Sequence, residues 1–197
     1  MKKVNVYSVE DMAEALREEK KKNERVSATL KLVGEFFFEN FHEGKSTGIS
    51  GGKNIFTLQG RNNLLDTVFG ATNKSLNWYL GIFKGNYTPT ASNTAANSLG
   101  IGNLYNECQD ADYTPAGNRP AYILGSASDG SISNANNKAE FTFLASLDIY
   151  GGFVVNSASK TSASGVLMAA KRFNNAPRTV DISDISYGWY VLTLVSG

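Results

Sequence analysis

Seven segments of the C-terminal region alternate large apolar residues with small or polar ones, and clusters of Gly, Asn and Ser separate them. They span residues 78–83, 121–124, 139–146, 149–156, 165–173, 178–182 and 187–195. A period of two is the signature of a strand with one face toward a core. In "AEFTFLASLDI", Phe141, Phe143, Ala145, Leu147 and Ile149 fall on one face. In "NWYLGIF", Trp78, Leu80 and Ile82 alternate with Tyr79, Gly81 and Phe83, which predicts a strand covered on both faces. Asp129-Gly130 supplies a tight turn. One short helix is expected around Leu58–Phe69, with Leu64, Leu65, Val68 and Phe69 on one side and Gly70 at the C′ position. Short strands, varied loops and little helix predict a mainly β protein, an antiparallel jelly-roll-like β-sandwich spanning 57–197.

The N-terminal region has a different texture. Residues 1–45 carry 18 charged side chains, nine of each sign, whereas residues 46–197 carry 19 in 152 positions. Ser8 and Asp11 have capping-box spacing, and Gly and Pro are absent from Val9 to Val33. The expectation is an α-helical arm over 1–45, joined to the sandwich by a flexible segment over 46–56, "TGISGGKN" included. Its apolar positions, Met12, Leu16, Val26, Leu30, Val33, Phe37 and Phe41, recur at helical spacing. A charged stretch at Arg17–Arg25 interrupts them, so the arm is read as a grip on a neighbouring subunit.

Little in the chain invites catalysis. The formal net charge is +1, which offers no global field to nucleic acid or to an anionic membrane. Cys108 is the one cysteine, so no internal disulfide can form, and a small, partly buried side chain is the expectation rather than a reactive thiol. His42 is the one histidine; a Ser–His–acid triad would have to use it, and a structural or solvated role is expected instead. "NECQDADY" brings Glu107, Asp110 and Asp112 close in sequence without the glycine and spaced acids of a calcium loop, so these carboxylates are expected to pair with Arg119 or with a partner. No metal and no cofactor are predicted. The start has no apolar run behind its lysines and no window resembles a membrane span, so synthesis in a host cytoplasm is expected.

The loop that follows the aromatic strand, "KGNYTPTASNTAANSLG", carries no charge between Lys84 and Glu107. It offers amides, hydroxyls and methyls, suited to contact with another protein, and Tyr87, Thr88, Pro89, Thr90 and Asn93 are its candidate contact residues.

The order "GRNNLLDTVFGATNKSLNWYLGIFKGNYTPTASNTAA", "NECQDADYTPAGNRPAY", "SISNANNKAEFTF", "ASGVLMAAKRF", "PRTVDISD" and "YVLTLVSG" resembles a group of tailed-bacteriophage virion proteins of the capsid cement or decoration type, often labelled tail-fibre-like. The resemblance covers about 57–197 and rests most on Trp78–Gly81, Tyr87–Thr90 and the Glu107, Tyr113, Arg119 spacing. It implies a jelly-roll subunit on the capsid exterior that ties major capsid proteins together, as a homo-oligomeric dimer or trimer, without turnover. The charged N-terminal helix has no place in that pattern. Two other readings compete. One is a tail or fibre component that recognises host carbohydrate through Trp78, Trp189 and tyrosines; the other is a glycan hydrolase using two of the acids.

Overall fold

The computed structural model describes residues 10, 12–14, 16–18 and 30–196. Two units divide the chain, Leu32–Leu194 and a smaller one of Met1–Lys31 with Val195–Gly197. In the smaller unit the described positions between 10 and 18 are helical, and Met12 and Leu16 are exposed. Ser8, Asp11 and Val26 lie outside the described residues.

The protein is mainly β, with antiparallel sheets in a sandwich-like arrangement. Its strands are β1 (Leu30–His42), β2 (Lys45–Lys53), β3 (Ile55–Phe56), β4 (Tyr79–Phe83), β5 (Tyr113–Thr114), β6 (Ser131–Ser133), β7 (Ala139–Phe143), β8 (Leu147–Ile149), β9 (Gly151–Val155), β10 (Leu167–Arg172), β11 (Arg178–Val180) and β12 (Ile185–Ser196). The helices of the larger unit are α1 (Leu58–Val68) and α2 (Ala95–Ser98). One sheet runs β2-β1-β12-β7-β5, with β6 also on β12; a second runs β3-β10-β9-β4; β8 and β11 form a two-stranded ribbon. The long β12 serves two neighbours in turn, pairing Ile185–Gly188 with β7 and Val191–Thr193 with β6.

The core lies between the two large sheets. Phe36 and Phe38 of β1, Phe141 and Phe143 of β7 and Tyr190 of β12 meet Leu80 and Ile82 of β4, Val154 of β9 and Ala169 of β10. The second sheet is buried on its other face too. There Phe83, Phe153, Val155, Leu167 and Ala170 pack against Ala95, Leu99 and Tyr105 from the connection between β4 and β5. This double burial is the arrangement the "NWYLGIF" pattern predicts, and a β4 covered only on one side would have left Tyr79 and Phe83 in water. Gly81 makes it possible, since a Cβ there would collide with the Phe153 ring.

Residues 30–42 correct the expected arm. They form a 13-residue strand, not a helix, so Leu30, Val33, Phe37 and Phe41 belong to β1. A spacing of four is even, so it keeps Val33, Phe37 and Phe41 on one side of a strand as readily as on one side of a helix. The inward-facing set is Gly34, Phe36, Phe38 and Asn40. Buried Asn40 hides the alternation, because a polar residue sits where the pattern requires an apolar one. Its amide donates to Asp184 Oδ2 at 2.9 Å and its oxygen accepts from Ser186 Oγ at 2.6 Å, which offsets the burial.

The expected joint at 46–56 is also corrected: it is strand, filled by β2 and β3. Glu43 and Gly44, at φ 48° and 74°, make the tight turn of a hairpin in which His42 faces Lys45. Gly51, at φ 152°, lies so close to the Phe36 carbonyl and Phe37 that no side chain fits. Its glycines suit the strand to an edge pressed on β1; they do not loosen it. Ala121–Leu124 is not a strand, and only Ala121 bridges to Tyr79. Asp129 and Gly130 turn as expected, at φ 49° and 71°.

Candidate functional site

The connection between β4 and β5 is a packed layer, and buried charge holds it. Arg119 and Glu107 have fully buried side chains. The guanidinium donates to both carboxylate oxygens, at 2.6 and 2.8 Å, and to the carbonyls of Ser157 and Ser162 at 2.7 and 2.9 Å. Glu107 also accepts from the Gly100 N–H at 3.0 Å, so one carboxylate ties residue 100 to residue 119. Burial pushes the Glu107 carboxyl pKa up, and Arg119 and the Gly100 N–H oppose that push. Lys160, also fully buried, donates to the Tyr113 carbonyl at 2.7 Å, sits 3.6 Å over the Tyr113 ring and reaches Asp110 at 3.1 Å. Asp112 takes Lys84 Nζ at 2.7 Å and the Gln109 N–H at 2.7 Å. The three acids of "NECQDADY" are thus engaged by the protein's own donors. Among the described residues no group of three or more His, Cys, Asp or Glu could hold a metal.

On this base the loop presents only part of what the sequence suggests. Asn93 is 2% exposed; its oxygen accepts from the Thr90 N–H at 2.7 Å and its amide donates to Tyr87 Oη at 3.2 Å. Pro89 is buried and Tyr87 is half-buried, its ring 5.7 Å from that of Tyr105. These three candidates hold the loop in place, while Thr88 and Thr90 face solvent with Ser92, Ala96 and Asn97. Ile101 and Leu104 extend that rim, at 72% and 44% exposure.

Helix α1 completes the surface. Thr57 caps it by accepting from the Gly60 N–H at 2.9 Å. Gly60 is its buried residue, seated on the Met168 backbone. The loop is bonded to the start of the helix: Leu58 N–H donates to the Ala91 carbonyl at 2.7 Å and Ala95 N–H to Gln59 Oε1 at 3.0 Å. Away from that seat, Leu58, Leu65 and Phe69 stand seven and four residues apart, which aligns them along one side of a helix. They are 51%, 55% and 84% exposed, and Val68 and Leu76 add 61% and 88%. The sequence places Leu64, Leu65, Val68 and Phe69 together, yet of these Leu64 alone is half-buried. Large apolar side chains left facing water along one side of a helix are the feature that contiguous protein-contact patches share.

The arm candidates are dispersed. Met12 and Leu16 are exposed on the N-terminal helix. Val33, Phe37 and Phe41 are half-buried on the outward face of β1, where Phe37 stacks on Trp189 at 5.3 Å and Phe41 meets Tyr187 edge-on at 5.7 Å. His42, at the end of β1, bonds Asp184 Oδ1 through Nδ1 at 2.8 Å in an open cleft lined also by Thr47, Arg178 and Asp181. That bond raises the imidazole pKa above its ordinary 6.5. The Asp184 carboxyl lies below its ordinary value: burial opposes this, and donors from Asn40 and the Asp181 N–H, with His42, overcome it. The polar groups around this dyad are committed to one another. Arg178 donates to Thr47 and Gly48, and Thr179 to Asp148.

No family model matches the chain, and no curated protein matches it. Among the described residues no helix is long and apolar enough to cross a membrane.

Proposed function

We propose that this is a non-catalytic structural protein of a tailed-bacteriophage virion. In this reading it docks on the outer surface of the capsid shell through α1 and the exposed rim of the loop between β4 and β5. The observation that carries the reading is the row of Leu58, Leu65 and Phe69, facing water from a helix whose buried seat is a single glycine. A rigid sandwich with a near-neutral surface suits a subunit present in many copies, since each contact can be weak and the array still stabilise the shell. Contact with the major capsid protein would bury those side chains, and the hydroxyls and amides of Thr88, Thr90, Ser92 and Asn97 would form its polar border.

The reading is tested by sedimenting purified protein with expanded shells that lack it. Wild type pellets with the shells and raises their disruption temperature, and Leu65→Gln/Phe69→Gln does neither. Wild type remaining in the supernatant, or the double variant pelleting equally well, overturns it.

A further inference from the structure

The outward face of the β1–β12 sheet lies opposite the loop side of the sandwich and carries a second, chemically different surface. The rings of Phe41 and Tyr187, at 80° to each other, line an open cleft of about 470 Å³, within the roughly 300–1,000 Å³ of small-ligand sites. The turn Ala135–Lys138 and Glu39 form the rest of its lining. Asn134, buried beneath, fixes this turn: its amide donates to the Asn137 carbonyl at 3.1 Å and its oxygen accepts from the Tyr190 N–H at 2.8 Å. Lys138 and Glu39 approach to 3.6 Å, and Lys138 lies 4.2 Å over the Trp189 ring, so the two charges offset each other. Within the described chain the side-chain amides of Asn136 and Asn137 and the Tyr187 hydroxyl make no hydrogen bond.

We infer that this cleft binds a glycan, with one neutral pyranose ring against Tyr187 and Phe41 and its hydroxyls on Asn136 and Asn137. A pyranose presents an apolar C–H face that lies on an aromatic ring and a rim of hydroxyls that both donate and accept. A primary amide matches that rim, since it too does both. Half-buried rings beside unengaged amides therefore suit a sugar better than an apolar peptide, which would leave the amides unpaired. Mutual neutralisation of Glu39 and Lys138 favours an uncharged sugar. The His42 cleft lacks this property, because its polar groups already satisfy one another.

The inference is independent of shell docking and is tested on the isolated full-length protein. Cellotetraose, maltotetraose and chitotetraose are titrated in turn, with calorimetry and tryptophan emission as readouts, Trp189 being the near reporter. At least one probe binds with a Kd near or below about 1 mM, and Tyr187→Ala weakens it about tenfold or more. Asn136→Ala/Asn137→Ala, at exposed turn positions that do not disturb the core, weakens it similarly, while Leu65→Gln/Phe69→Gln leaves it unchanged. Absence of binding to all three at about 10 mM, or binding that survives the asparagine double variant, overturns the inference.

Discussion

Arg119→Met tests whether buried charge is what makes the β4–β5 connection a rigid platform. The substitution keeps an unbranched stem of arginine's reach as far as Nε, drops the rest of the guanidinium and removes four donated hydrogen bonds. Glu107 is then left fully buried with one partner, the Gly100 N–H, and two carbonyls lose their donor. Breaking a buried pair from one side costs about 3–5 kcal/mol, because the surviving charge is uncompensated. Domains of this kind have about 5–15 kcal/mol in all, so the variant folds with a large fraction of its stability gone. At about 2–4 °C per kcal/mol for a chain of this length, Tm falls by roughly 6–20 °C. Glu107→Leu/Arg119→Met removes both charges and recovers most of that loss, since an apolar pair of similar volume is a tolerable substitute. Scanning calorimetry of the wild type and the two variants measures both effects. A fall below about 2 °C in the single variant, or a double variant no better than the single, would refute the argument that the pair anchors the loop.

Other outcomes follow from the same packing. His42 is exposed, and its raised pKa means its bond to Asp184 contributes stability that is fully present below pH 6.5 and lost as pH rises through the folded-state value. Wild-type Tm therefore declines above pH 6.5, and His42→Gln flattens that slope; an unchanged slope contradicts the assignment. Asp184 acts in the opposite sense, stabilising above its ordinary 3.8 and ceasing to do so as pH falls through its lowered value. Gly60→Ala places a Cβ into the Met168 backbone and should cost about 1–3 kcal/mol in urea unfolding, with faster amide exchange confined at first to α1. Cys108 is fully buried and its thiol pKa is pushed well up by burial. A thiol reagent at pH 8 should therefore react only after unfolding, and prompt reaction with native protein would contradict this packing.

The sandwich was legible because its strands carry clean alternation wherever one face is apolar, as in Phe141 and Phe143. Double burial of β4 was legible from unbroken large and small apolar residues across Tyr79–Phe83. The N-terminal strands were not. In "VGEFFFENF" three consecutive phenylalanines occupy both faces and Asn40 stands on the inner one, so the period of two disappears. Glycines of β2 read as a flexible joint because sequence shows their freedom and not the neighbour pressed against them. Of the loop candidates, Pro89 and Asn93 turned inward, for the reason that a long connection must satisfy its own backbone before it can present anything. For α1 the sequence reading grouped Leu64, Leu65, Val68 and Phe69, of which Leu64 is half-buried and the other three are exposed. Sequence alone does not say whether such a row meets the core or water.

The most direct measurement of the docking account is photo-crosslinking from within intact particles, with a photoreactive residue in place of Phe69 or Leu65. Docking through α1 predicts a covalent adduct with the major shell subunit from both positions and none from a control at Thr179, a solvent-facing position of β11. Adducts absent from both positions in particles that contain the protein, or formed equally well from Thr179, would contradict it.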